Sequence, residues 1–250
     1  MLIYKPPLQT PFAFVLNDFS AIEQLKIKYG NYLTEADDAT ADALAVDCTA
    51  FAAPITAIDR FVFDHTVYDE SVLALHGGAV EWCGEAYLLL APTTGGKTTL
   101  TSYLTSCGCG YVTDDCILID RSDFCVFPFP APIQLRDGGL EVLKRYHAVP
   151  ECLALLEEGD RLRRWAYTPK SCVKLPIPLK QIFFIERTDS ENALVEMTTT
   201  ERMTALLKSP ITNYPVTGDY LRLLSRLARV NCHVLRYSDM QYVKELIQNG

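Results

Sequence analysis

Between residues 73 and 90 two apolar runs, AVEW and AYLLL, flank Cys83-Gly84-Glu85, the pattern of two strands joined by a hairpin turn. The second run leads into Thr93-Thr94-Gly95-Gly96-Lys97-Thr98. In the TTLTSYLTSC that follows, Leu100 and Leu104 stand at helical spacing, so the order is strand, glycine loop, helix. YVTDDCILID places apolar runs on both sides of a polar Thr-Asp-Asp, and the prolines of FPFPAPIQLRDGG exclude a long helix after it. Farther on, residues 139–146 and 151–158 read as helices, KQIFFIER as a buried strand, and TTERMTALLKS as a helix with Thr200 at its N-cap. The last third reads as helix 219–229, strand 232–237 and helix 239–248. The first 70 or so residues carry shorter signals: an apolar FAFVL, a polar DDATAD run, and ITAIDRFVF, whose alternation predicts a strand. No internal repeat is evident, and the mixture predicts an α/β fold with helices around a mixed sheet. Residues 1–72 are expected to form a β-rich segment packed on a core of residues 73–250.

Composition narrows the function classes. The 250 residues suffice for one large domain with a proper core; 49% are hydrophobic and 22% charged, with no apolar run near bilayer length, so no membrane insertion is expected. The opening MLIYKPPLQTPFAF has neither a basic leader with a long apolar stretch nor a small-residue cleavage site, which makes a cytoplasmic location the expectation. Nine cysteines, scattered from Cys48 to Cys232, read as thiols in a reducing compartment; Cys107 and Cys109 lack a second cluster that would complete a metal site. A formal charge of −8 argues against a general affinity for nucleic acid. The one basic stretch, 161–180, holds Arg161, Arg163, Arg164, Lys170, Lys174 and Lys180, and reads as a solvated surface segment ahead of a site for an acidic substrate.

Candidate chemistry centres on residues 91–98, Ala-Pro-Thr-Thr-Gly-Gly-Lys-Thr, which fit a P-loop except that Ala91 stands where the strict pattern has glycine. Consecutive backbone N–H groups must curl around phosphate oxygens, and Gly95 and Gly96 permit that approach. Lys97 would charge-pair the β and γ phosphates, Thr98 offers a hydroxyl to Mg²⁺, and the helix beginning near Thr99 turns its positive end toward the anion. Thr93 and Thr94 complete the expected nucleotide loop. Asp114 and Asp115 follow a strand, and phosphoryl transfer wants one carboxylate near Mg²⁺ and another to take a hydroxyl proton. Both reach one site only if the chain bends there, because neighbouring strand residues point to opposite faces. His76, alone, is more often structural than catalytic.

Taken in order, His76-Gly77, the loop 91–98 and Asp114-Asp115 resemble the motifs of the HPr kinase/phosphorylase kinase domain and its shorter relatives, which are distantly related to phosphoenolpyruvate carboxykinases. PAPIQLRDGGLEVL is similar, more softly, to the family's proline-rich segment with its basic residue and glycine. The resemblance implies a kinase core of that type, using ATP and Mg²⁺. It makes Asp114 the base toward an acceptor hydroxyl with His76 assisting, gives Asp115 and Thr98 to the metal, and makes Arg136 a stabiliser of charge on the transferred group. Gln134 departs from a metal-binding glutamate of the full-length enzymes. The expected function is transfer of the γ-phosphoryl group to a serine or threonine hydroxyl on a peptide or small protein, such as a ribosomally made precursor. Alternatives are a small-molecule kinase acting on something like free serine, and an ATP-binding regulator with little transfer activity; a carboxykinase-like enzyme ranks last. A homo-oligomer is an expectation by resemblance alone.

Overall fold

The computed structural model describes residues 2–4, 12–16, 19–29, 33–35, 44–49, 54–129, 131–151, 153–158, 162–211 and 214–250. The chain forms strands β1 (Leu2–Tyr4) and β2 (Phe12–Val15), helix α1 (Phe19–Tyr29), strands β3 (Leu33–Glu35) and β4 (Leu44–Asp47) and helix α2 (Pro54–Val67). Strands β5 (Val72–Trp82) and β6 (Glu85–Leu90), helix α3 (Lys97–Ser106), strands β7 (Gly110–Thr113), β8 (Cys116–Asp120), β9 (Val126–Phe127) and β10 (Ile133–Leu135) and helix α4 (Asp137–Arg145) follow. The rest comprises β11 (Ala154–Glu158), β12 (Leu162–Tyr167), β13 (Leu179–Arg187), β14 (Ala193–Glu196), α5 (Thr199–Leu207), α6 (Gly218–Leu227), β15 (Asn231–Tyr237) and α7 (Met240–Asn249).

The central sheet runs β14-β15-β13-β6-β5-β8-β9, with β7 also pairing to β5. It is mixed: β6, β13 and β15 are mutually parallel neighbours, whereas β5 is antiparallel to β6, β7 and β8. Alternation along β6 sorts its side chains onto two faces. Tyr87 and Leu89 join the cluster built with Leu100 and Leu104 of α3, Leu143 of α4 and Val243 and Ile247 of α7. Ala86, Leu88 and Leu90 join Leu206 of α5 and Leu223, Leu224 and Leu227 of α6 on the other face. Helices therefore cover both faces, as apolar period-2 strands in a buried sheet require. The β5–β6 turn has Cys83 at φ 52° and Gly84 at φ 81°, the paired left-handed conformations that match the twist of a two-residue hairpin.

Two smaller sheets flank this core: β3-β1-β2-β4 and β10-β12-β11. Phe14, Leu25, Tyr29, Ile58 and Val62 pack with Val72, Ala74, Cys116 and Leu118, so the N-terminal elements share a core with β5 and β8.

Several expectations from the sequence are corrected. ITAIDRFVF belongs to α2 and not to a strand; Ile58 and Val62, one helical turn apart, are both buried, and their packing decides between periods that a mixed apolar segment leaves ambiguous. Residues 154–158 are a strand, since pairing with β12 overrides the helical preference of leucine and glutamate. The cap of α5 is Thr198 and not Thr200: Glu201 donates its N–H to the Thr198 hydroxyl, while the Glu201 carboxylate accepts from the Thr198 N–H at 2.8 Å. The DDATAD run lies outside the described residues.

Candidate active site

The loop between β6 and α3 is shaped by close approach. A Cβ on Gly95 would stand 2.7 Å from the Ala91 Cβ, so the alanine at the loop's start is accommodated by the glycine four residues on. Gly96 caps α3 at φ 89° with no side-chain hydrogen bond, which leaves the first N–H groups of the helix open to an anion. Thr94 holds φ 69°, a left-handed conformation unusual for a β-branched residue. Lys97 is buried, and its Nζ donates to the carbonyls of Ala91 at 2.9 Å and Pro92 at 3.1 Å. Burial pushes its pKa down, against the upward pull of the Asp115 and Asp114 charges.

The aspartate pair occupies the break between β7 and β8, both of which pair with β5. The bend on which a shared site depends is present. Asp115 takes φ 74°, the Thr113 hydroxyl donates to the Cys116 carbonyl at 2.7 Å, and the Asp115 carbonyl accepts from the Gly77 N–H at 3.3 Å. Gly77 and Gly78 lie across from this break. A Cβ on Gly77 would come within 2.6 Å of Ile117 and Leu90, and one on Gly78 would collide with the Thr101 hydroxyl. His76 Nδ1 sits 3.1 Å from the Asp115 carbonyl oxygen; with the proton on Nδ1 the ring donates there and leaves Nε2 as an acceptor.

The two carboxylates occupy different environments. Asp115 is exposed, whereas Asp114 is 2% exposed and its Oδ1 has no hydrogen-bond partner. Burial first and the Asp115 charge second push the Asp114 pKa up to about 8, against a Thr98 side-chain hydrogen bond, the Lys97 charge and the Asp115 N–H.

His76, Thr93 through Thr99, Asp115 and Arg136 all line one cleft of about 370 Å³. Asp114 is not on its wall, but is tied to it through Thr98. Arg136 is exposed at the N-cap of α4. A second cavity of about 770 Å³ meets the first at His76 and Thr93, and is walled in part by Thr200, Thr204 and Lys208 of the α5 segment and by Phe184. Ser209, next to Lys208, accepts the His76 backbone N–H at 2.7 Å.

The cleft also contains Gln134, Gly138, Gly139 and Arg164. Arg164 belongs to the basic stretch read as a solvated surface segment, and that reading is corrected for it. It is half-buried and lines the cleft together with the glycine loop, because β12 turns this residue toward the cleft. Lys170 and Lys180, from the same stretch, do fit a surface segment, in ion pairs with Glu151 and Glu85, each at 2.9 Å. Arg161 lies outside the described residues. No sequence motif would have singled out Arg164, since its place depends on the pairing of β10 with β12. Among the described residues no group of three or more His, Cys, Asp or Glu is arranged to hold a metal, and no helix is long and apolar enough to cross a membrane.

No protein-family model matches the chain, and no curated protein does. Among solved structures, the HPr(Ser) kinase/phosphatase from Coxiella burnetii is similar over 70% of this chain and 94% of its own, at 13% sequence identity and a TM-score of 0.34.

Proposed function

We propose that the chain is an ATP-dependent kinase that transfers the γ-phosphoryl group to a serine or threonine hydroxyl, on a peptide or small protein. The observation that carries this reading is the bend at Asp114-Asp115, which sets one exposed and one buried carboxylate beside Lys97 and Thr98. Environments that differ this sharply suit two carboxylates to two jobs. A general base works best when its pKa lies near the working pH, and the raised pKa of Asp114 meets that requirement. In the proposed step the acceptor oxygen, admitted past Thr98 to the Asp114 carboxylate behind the cleft wall, gives that carboxylate its proton and forms a bond to the γ phosphorus. The bond from that phosphorus to the β–γ bridging oxygen breaks, and ADP leaves with the electron pair.

The donor set fits Mg²⁺: a carboxylate on Asp115 and a hydroxyl on Thr98 share the cleft wall, and phosphate oxygens and water would complete an oxygen shell. Bound there, the ion would neutralise charge on the β and γ phosphates. Lys97 would exchange its hydrogen bonds to the Ala91 and Pro92 carbonyls for phosphate oxygens, and the uncapped N-terminus of α3 would receive the anion. The adjoining cavity, open to the phosphate cleft at His76 and Thr93, has room for a peptide segment.

A second reading, an ATP-binding regulator with little transfer activity, is favoured by Gln134, whose amide is bound to Arg164 where a carboxylate metal ligand would be expected. Incubation with γ-labelled ATP and Mg²⁺, against peptides encoded beside the gene and a panel of hydroxyl amino acids, separates the outcomes. A peptide gaining one phosphate supports the proposal, and a labelled free amino acid moves it to a small-molecule kinase. ATP binding without transfer to any acceptor supports the regulator.

A further inference from the structure

Three cationic side chains stand on the cleft wall: Lys97, Arg136 and Arg164. The first two fall in motifs, and Arg164 does not. It lies two residues from Ala166 on β12, hence on the same face, and Ala166 pairs with Gln134 of β10. That register lets Arg164 Nη1 donate to Gln134 Oε1 at 3.2 Å. Its Nε is buried with no hydrogen-bond partner, and no carboxylate pairs with it among the described residues.

A guanidinium keeps its proton at any physiological pH, and a neutral amide cannot balance its charge. A buried donor of a permanent cation calls for an acceptor, and a charged one is satisfied best by an anion. The loop 93–99 lines the same cleft. We propose that Arg164 is a phosphate-binding residue, donating to oxygens of the phosphate chain held by that loop, and that Gln134 orients its guanidinium instead of binding metal. Gln134 Oε1 is the amide atom able to coordinate a cation, and it is engaged by a positive group; a metal ion there would face that charge at close range. The inference rests on the reading of the loop as a triphosphate site.

The test compares affinities for Mg²⁺·ATP and for inorganic tripolyphosphate by calorimetry, in wild type, Arg164→Gln, Arg164→Lys, Gln134→Glu and Lys97→Ala. Arg164→Gln is expected to weaken both ligands by about 10- to 100-fold and by similar factors, because the contact is to phosphate and not to the nucleoside. Arg164→Lys recovers part of the loss, since it keeps the charge without the planar fork. Gln134→Glu weakens binding too, by neutralising Arg164, and leaves the Mg²⁺ requirement unchanged. Without ligand, Arg164→Gln melts at or above the wild-type temperature, whereas a purely structural arginine would lower it. Wild-type affinity in Arg164→Gln alongside loss in Lys97→Ala would overturn the inference and spare the loop. Tighter nucleotide binding and a lower Mg²⁺ requirement in Gln134→Glu would also overturn it, returning position 134 to the metal. If wild type binds neither ligand, or Lys97→Ala binds as wild type does, the reading of the loop falls and the inference with it.

Discussion

Replacing Asp114 by Asn separates the cost of the buried carboxylate from its use. In the folded chain the Asp114 pKa is raised from 3.8 to about 8, chiefly by burial and then by Asp115. Between those values the native state holds a proton that the unfolded state has lost, so stability falls as pH rises through the window and the loss is complete above about pH 8. At pH 7 the unfolded group is about three units past its own midpoint; at about 1.4 kcal/mol per unit the ceiling on the cost is about 4 kcal/mol. Relaxation around the charge reduces what is measured to about 1–3 kcal/mol, or roughly 3–10 °C in melting temperature for a chain of this size. Asn keeps an oxygen for the Thr98 hydroxyl and carries no charge. Melts without nucleotide or metal are therefore expected to show Asp114→Asn close to wild type near pH 4, and progressively more stable toward pH 8. In the same protein, phosphoryl transfer should fall by roughly 10²-fold or more with ATP binding largely kept. A melting difference that is the same at pH 4 and pH 8, or a variant less stable than wild type at pH 8, would refute the assignment of a costly buried charge.

Three further perturbations probe the loop and the scaffold. Thr94→Gly relieves a left-handed β-branched residue at the cost of added freedom in the unfolded chain, and is expected to gain about 0.5–1 kcal/mol in urea unfolding; a lower midpoint would contradict the strain. Gly95→Ala places a methyl group 2.7 Å from the Ala91 Cβ and should weaken ATP binding at least about tenfold, with part of the loss recovered in Ala91→Gly/Gly95→Ala. Additive effects would show that the two positions do not compete for space. Thr198→Ala removes one half of the α5 capping box and should cost about 1 kcal/mol by thermal denaturation; retention of full stability would locate the cap elsewhere.

Strand–loop–helix order and the Cys83-Gly84 turn are legible along the chain because each rests on a local rule, whereas the bend at Asp114-Asp115 stands in the sequence only as a condition for a shared site. Period-2 alternation, left-handed glycine turns and the spacing of Leu100 and Leu104 all act within a few residues. The same local rules misassign ITAIDRFVF and residues 151–158, where burial of Ile58 and Val62 and pairing of 154–158 with β12 outweigh propensity. Residues with the chemistry of a phosphate site can be picked out singly, from His76 to Arg136. Their gathering around one cleft depends on contacts between segments far apart in the chain.

Three arrangements come from tertiary structure alone. Antiparallel pairing of β5 with both β7 and β8 puts Gly77 and Gly78 opposite the aspartates and leaves them room. Burial divides two adjacent, chemically identical carboxylates into an exposed one and one whose pKa is raised. The β10–β12 register carries Arg164 out of a run of surface charge and into the cleft. Periodicity is a property of neighbours along the chain, whereas desolvation and the pairing of charges depend on which distant segments exclude water together, and that is set only when the sheets close.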